Sequence, residues 1–477
     1  MDKKYFCARS YCFIGLTLII GVMYGCTEDT GPSATPTIDY GSIAVINYSE
    51  HVQPLLSRSC AASSCHDAAT KAAGLDLGSW NALIRGSSFG EVLVPFDTLR
   101  SLLVNLFDVT PLRKGHPAFS SVPFSTEEVS FLKRWIREGA RNDASVVPYA
   151  TSPHKLYVPN QADDNVAIID IDNLVVRRYV NVGNMPTNDA PHFVVANSQY
   201  WYVSLIGTGQ VWKFDARTDT LVGVVNITGS PAILELTHDG SKLYVSQFTT
   251  GATNRVTVVN TASMTVATTI QVWTMPHGMR LNRAGTILYV ANMMSDNISV
   301  IDVATDQVLS TIPLASDAIP FGPPKYMPME MAVSPDESVI AVTCSEQREV
   351  RFFSTSSLAL VDSFAVGDQP WHLQFTPDGE YCYVANRRGH TTSVIHVPSR
   401  QVTTTYTAPT VFSNPHGCDV SADGRFVFIS NENVFHGYVP RYSMEFVGNV
   451  TIIDNTTSQI VKVLEVGKMP TGLSVAQ

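Results

Sequence analysis

The sequence predicts a multidomain chain: a small all-α unit followed by an all-β propeller of seven blades. Three observations carry this. A strand pattern recurs from His154 to the C-terminus, a proline opens each recurrence, and a strongly capped helix stands upstream at Ser125. At 477 residues the chain exceeds one ordinary domain, so two folded parts are the default expectation.

The repeat has two halves. A branched run ending in a polar residue occurs as Val166-Ala167-Ile168-Ile169-Asp170, Ile298-Ser299-Val300-Ile301-Asp302 and Val450-Thr451-Ile452-Ile453-Asp454, and in four further copies. Before each copy stands a second pattern, as in Leu156-Tyr157-Val158, Leu243-Tyr244-Val245 and Val427-Phe428-Ile429. Asp239-Gly240, Asp378-Gly379 and Asp423-Gly424 supply the turns of the preceding hairpin. A period of 42 to 58 residues with about four strands each is the mark of a β-propeller, and seven copies give seven blades. Leu288-Tyr289-Val290-Ala291-Asn292 and its counterparts resemble the YVTN family of propeller repeats, over residues 150–477. Pro191, Pro231, Pro276, Pro328, Pro370 and Pro415 open the innermost strands. The seventh, Pro470, has no strands after it, so its three partners must come from His154 to Asn184. One blade shared between the two ends closes the ring and removes its free edges.

Upstream, Ser49 precedes a helical stretch with Val52, Leu55 and Leu56 on one face, ending at Cys60. Ser125-Thr126-Glu127-Glu128 forms a capping box, with Ser125 as N-cap and Glu128 at N3. The helix it starts places Val129, Leu132 and Ile136 on one side, Phe131 and Trp135 beside them, and stops at Gly139. Between these helices lies Cys60-Ala61-Ala62-Ser63-Ser64-Cys65-His66. Each thiol can add to one vinyl group of a porphyrin, and the adjacent imidazole can bind the iron; this is the equipment for c-type haem. The usual spacer is two residues, and here it is four. The alternative is a disulfide, or two surface thiols followed by an unrelated histidine.

Within a domain read over 45–145, the stretch Val45 to Ala140 resembles planctomycete-type cytochrome c domains. The matching residues are Val52-Gln53-Pro54-Leu55-Leu56, the Cys60–His66 segment, Gly74-Leu75-Asp76-Leu77, Ser101-Leu102-Leu103 and Trp135-Ile136-Arg137-Glu138-Gly139-Ala140. The resemblance implies one haem c held covalently by Cys60 and Cys65, with His66 as the proximal iron ligand. Such domains place a Met-Pro pair before the last helix, and its methionine binds the iron. Here the pair is His116-Pro117, and no methionine lies between His66 and Ala140. The resemblance therefore implies His116 as distal ligand, and a bis-histidine iron of lower potential than a His/Met one. The alternative is a loop histidine beside a five-coordinate or water-bound iron. His51 reads as a surface residue.

The first 25 residues read as a lipoprotein-type signal peptide. Lys3, Lys4 and Arg9 precede an apolar run, Phe13 to Met23, too short to span a bilayer. Gly25-Cys26 resembles the end of a bacterial lipobox, which makes Cys26 the lipidation site and 26–44 a flexible tether. The expected location is therefore the periplasm or outer surface, anchored to a membrane. The whole chain carries −10; with Lys3, Lys4 and Arg9 set against Asp2 the signal holds +2, leaving −12 after cleavage. An acidic surface argues against nucleic acid as a partner. Of eight cysteines, Cys344, Cys382 and Cys418 fall inside apolar strand patterns and read as buried thiols.

In the propeller, His192, His277 and His416 each follow an opening proline, so they share a register and should ring one mouth of the channel. His372 sits one residue later, and the pleat should turn it the other way. Arg387, Arg388, His390 and His436 lie in loops expected on that same face, as do the insertions Ala315–Met327 and Asn433–Phe446. These residues form either a ligand, metal or partner site, or merely polar contacts to channel water and loop backbone.

Three functions follow. The leading one is an exported monohaem cytochrome that transfers electrons to a redox partner the sequence does not name, with the propeller as docking or sensing platform. The second is an oxidoreductase with another cofactor on the propeller, resembling cytochrome cd-type nitrite reductases, whose propellers have eight blades. The third is a surface binding protein with a redox-sensing haem. Hydrolase chemistry has no support in the sequence: there is no nucleophile–base pair, phosphate loop or two-metal carboxylate cluster.

Overall fold

Alternating branched and aromatic residues give the chain from Lys155 onward strands of six or seven residues, which together with the two-residue Ser474–Val475 assemble into seven four-stranded sheets. A computed structural model describes residues 38–61, 65–108, 116, 124–184, 188–248, 254–316, 324–441 and 445–476. The expected signal peptide and Cys26 lie outside the described residues, as does the tether up to residue 37. The chain divides into Met1–Ser42 and one compact unit, Ile43–Gln477, which contains both the helices and the propeller. Among the described residues no helix is long and apolar enough to cross a membrane.

Blade 1 contains Lys155–Asn160, Asn165–Asp170 and Val175–Asn181, and its innermost strand is Ser474–Val475 from the C-terminus. Leu156 pairs with Val475 and Tyr157 with Ser474, while Pro470 bridges Asn160. The ring is therefore closed as the repeat count requires. Blades 2 to 7 open at Pro191, Pro231, Pro276, Pro328, Pro370 and Pro415, each the first residue of an inner strand. Proline suits that position because it needs no ladder N–H there.

All six inner strands carry the same irregularity. Pro276 pairs with Asn292, but the next partners are Met279 and Val290, so one extra residue is spent on the inner strand. The same slip follows Pro191, Pro231, Pro328, Pro370 and Pro415. Such a bulge breaks the strict in–out alternation of the pleat.

The core lies between blades. Leu243, Val245, Val256, Val259 and Leu288 are fully buried in one such layer, and Val166, Ile168, Trp201 and Val203 in another. Cys344, Cys382 and Cys418 are buried free thiols within these layers, as their strand patterns imply.

Upstream, α1 (Gln53–Ser59) continues a wide opening turn, Tyr48–Val52. The short α2 (Trp80–Leu83) and α3 (Leu102–Asp108) follow, then α4 (Thr126–Arg137). Both halves of the Ser125/Glu128 capping box are formed. Val52, Leu55 and Leu56 of the first stretch and Phe131, Leu132, Trp135 and Ile136 of α4 are buried. Gly139 ends α4 at φ +101°, where a Cβ would stand 2.7 Å from the Phe96 ring. His51 is not a plain surface residue: its ring is half-buried, accepts the Asn47 N–H at 2.9 Å and meets Phe131 edge-on.

Candidate functional site

Two clusters of chemistry-bearing side chains stand out, one in the helical segment and one at the propeller axis.

In the first, Cys60 caps α1, its N–H donating to the Leu56 carbonyl at 2.8 Å. The chain then folds back on itself. The His66 N–H donates to Cys60 O at 3.1 Å, the Ala72 N–H to Cys65 O at 3.0 Å, and the Leu77 N–H to His66 O at 2.8 Å. Cys60 and Cys65 are free, half-buried thiols, so the disulfide alternative is not realised. Burial, with the Cys65 thiol adding to it, pushes the Cys60 thiol up to about 12. His66 Nδ1 lies 3.1 Å from the Ala72 carbonyl oxygen, which leaves Nε2 available.

The His116 ring stands 6.0 Å from the His66 ring, centroid to centroid, with 46° between their planes. Two imidazoles on opposite sides of one iron, each at about 2 Å, have centroids roughly 6 Å apart. His116 Nδ1 is buried without a partner among the described residues. Burial, and then the nearby His66, hold the His116 imidazolium below its usual range. The residues present thus fit a haem iron, in ligand type, spacing and unsatisfied nitrogen.

At the propeller axis the structure brings together His192, His277 and His416, as their shared register implies. Ring centroids are 6.2 Å apart for His192–His277 and 5.3 Å for His192–His416. The expectation for His372 is corrected: its ring lies 5.0 Å from that of His416 and joins the cluster. The bulge after Pro370 explains this, because Trp371 and His372 both reach His416 from successive positions of one strand. Close approach also needs Gly278, where a Cβ would stand 2.6 Å from the Glu330 backbone.

All four histidines are at most 8% exposed. Burial holds His277 down to about 4 against its contact with the Met329 carbonyl; burial, with neighbouring rings adding to it, holds His192 down to about 3 and drives His372 and His416 well below the usual range. Glu330 approaches His372 at 3.9 Å, and burial raises its carboxyl to about 7 against the pull of Arg280. Glu432 lies 3.8 Å from His416, and burial raises it against the pull of Arg387. These contacts join a neutral base to a weakened acid rather than forming strong ion pairs.

Of the loop residues, only Arg387 reaches this region. It donates to Glu432 at 2.6 and 3.0 Å and lies 4.4 Å over the Trp371 ring. Arg388 is an exposed partner of Asp368 at 2.8 Å. His390 accepts the Asn414 N–H at 3.1 Å, and the exposed His436 stacks on Phe446 at 3.9 Å. Glu330, Glu432 and Trp371 escaped the sequence reading, since their only signal is position relative to an opening proline. At the other mouth a cavity of about 590 Å³, bordered by Glu235, Arg280, Gln374 and Asp419, extends inward to His372.

Comparison with known proteins agrees with this architecture. The family described as "Lactonase, 7-bladed beta-propeller" matches residues 153–312. A seven-bladed β-propeller protein of Mycobacterium tuberculosis is 30% identical over 167 residues, which are 34% of this chain and 39% of that protein. The chain thus spans about two fifths of the curated relative it matches. Among solved structures, Kuenenia stuttgartiensis hydrazine synthase superposes with TM-score 0.51 at 17% identity, covering 63% of this chain and 92% of that one. A functionally unknown protein from Desulfotomaculum acetoxidans gives 0.53 at 11% identity, covering 68% and 99%. At these identities the two structures speak to fold alone.

Proposed function

We propose that this seven-bladed propeller chain is an exported, membrane-tethered monohaem c-type cytochrome that transfers electrons. Cys60 and Cys65 would hold the porphyrin, and His66 and His116 would hold its iron. The observation that carries the reading is the facing His66/His116 pair, 6.0 Å apart, with the far nitrogen of His66 fixed on a backbone carbonyl.

A haem held by both His66 and His116 would supply one-electron chemistry rather than substrate activation. The protein residues set its terms. The Ala72 carbonyl orients the His66 ring. Two neutral imidazoles favour the oxidised iron more than a thioether would. The propeller would serve as the docking or sensing platform for the redox partner. Lipidation at Cys26 would tether the molecule at the periplasmic or outer face of a bacterial membrane.

The test is full-length protein from a host that matures c-type cytochromes. Its pyridine haemochrome spectrum should give one haem per chain, resistant to acidified acetone; a colourless or extractable product refutes the reading. His116→Met should raise the reduction potential and shift the ferric spectrum. Unchanged values would remove His116 as a ligand. Mass spectrometry of the mature N-terminus should find an acylated Cys26.

An oxidoreductase with a second cofactor on the propeller is kept as the other reading. One observation favours it: four buried histidines converge at the propeller axis.

A further inference from the structure

We propose that the cavity at the far mouth of the propeller binds a small organic amine. Its ammonium would sit between Glu235, Asp419 and His372, and its apolar body against Phe193, Leu281 and Leu473. This site is separate from the haem segment and does not rest on the haem reading.

Register builds the site. Glu235, Arg280, Gln374 and Asp419 each stand four residues after an opening proline, at the fifth position of an inner strand. They therefore ring one end of the channel and border the cavity of about 590 Å³ that runs inward to His372. Backbone N–H groups fix both carboxylates. Glu235 Oε1 accepts the Leu281 N–H at 2.8 Å, and Asp419 accepts those of Val420 and Val475, both at 2.8 Å. Gln374 Nε2 also donates to Asp419, at 3.2 Å. Glu235 Oε2 meets Arg280 Nη1 only at 3.7 Å, beyond a hydrogen bond. At the inner end, the 4% exposed His372 stacks on Phe193 and turns Nδ1 to Glu330 Oε2 at 3.9 Å. His372 Nε2 is buried with no partner among the described residues, and so is Glu330 Oε2. With the ring proton on Nδ1, toward Glu330, Nε2 offers a lone pair that calls for a donor.

Charge selects the ligand. Arg280 is shared by three carboxylates, Glu235, Glu330 and Asp419, and its Nε donates to the Met331 carbonyl at 3.4 Å. Burial raises all three carboxyls while Arg280 draws them down, so the acids are short of positive charge. The rim does not correct this. Arg283 donates to the Pro335 carbonyl at 3.3 Å, and Asp239, held by Thr237 and Ser241, sets a full negative charge against it. An ammonium supplies what is missing. Its N–H groups suit Glu235 Oε2, Asp419 and His372 Nε2, all of which accept, whereas an anionic ligand would add to the excess of acid. The wall beside these acceptors is apolar, with Phe193, Leu236, Leu281 and Leu473 lining the cavity. A few convergent polar groups on an otherwise apolar wall is the build of a small-molecule site. The amine therefore carries a hydrocarbon body.

Titration calorimetry on the full-length protein compares three probes of similar shape: 2-phenylethylamine, 2-phenylethanol and 3-phenylpropanoate. The amine should bind saturably, one per chain, and the alcohol and the acid about tenfold more weakly or not at all. No saturable binding of the amine, or an alcohol or acid bound as tightly, would overturn the site. Glu235→Gln keeps an oxygen for the Leu281 N–H but removes the charge, and should weaken amine binding by about tenfold. Undiminished affinity would put the amine elsewhere and also overturn it. Because Glu235 is buried, a second variant works from a more exposed position. Ser474 lies at the same ring position, lines the cavity and is only partly buried. Ser474→Lys places a resident ammonium there and should exclude the amine while leaving the haem spectrum unchanged; equal binding by this variant would count against the proposal.

Discussion

His372 is one residue out of step with His192, His277 and His416, yet its ring lies 5.0 Å from His416. Alternation along a regular strand predicts the opposite, and the residues themselves carried no mark of the bulge that overrides it. By contrast, the Ser125/Glu128 cap was legible because it depends only on residues three apart in sequence. The cap and the core make different contributions. Ser125→Ala removes one accepted N–H and should cost about 1 kcal/mol, whereas Leu132→Ala opens a fully buried site and should cost about 2–5 kcal/mol. Amide hydrogen exchange across 126–137 distinguishes them. Modest acceleration is expected for the first variant and much larger acceleration for the second; equal effects would contradict the burial assigned to Leu132.

Among the elements, Ser474–Val475 is the shortest strand and has the widest consequence. Around its two ladder pairs, the Thr471 N–H donates to Pro159 O, the Gly472 N–H to His192 O and the Ala476 N–H to Lys155 O. The final residues therefore join blade 1 to blade 2. Deleting 470–477 should expose the inner edge of Lys155–Asn160, lower the thermal transition and promote aggregation, as unpaired edges do. Calorimetry and light scattering read this, and a truncated chain as stable as the parent would refute the closure. The closure itself was legible from a simple imbalance: Pro470 is a blade-opening proline with no blade behind it. The long loops were not legible in this way. Their hydrogen bonds, such as Asn433 Nδ2 to Tyr438 O and Val447 O, follow no period.

At the scale of the whole molecule, the helical segment rests on the blades that close the ring. Glu91 accepts the Val176 N–H at 3.0 Å, Arg100 lies 4.4 Å over Tyr179, and Arg441 lies 4.1 Å over Phe89. Sequence reading treated the two parts separately, and contacts between remote segments leave no periodic trace. The contact should respond to pH. Burial raises the Glu91 carboxyl to about 7, with Lys462 opposing and Glu465 reinforcing the shift. An acid whose folded pKa is raised is stabilising when protonated. Its contribution is complete below the ordinary carboxylate pKa and is lost as pH climbs through about 7. The thermal transition should therefore fall between about pH 5 and pH 8, and Glu91→Gln should flatten that slope. A slope that persists unchanged in the variant would exclude Glu91 as its source.

The seat of the helical segment draws on both Val175–Asn181 and Gln459–Glu465, with Gly90 set against Leu464. Its two halves come from opposite ends of the propeller sequence. During synthesis, the N-terminal helices must wait unfastened until nearly the whole polypeptide has been made. Throughout that interval Cys60 and Cys65 belong to a segment that has not yet docked, and the last stretch of chain to arrive secures the first.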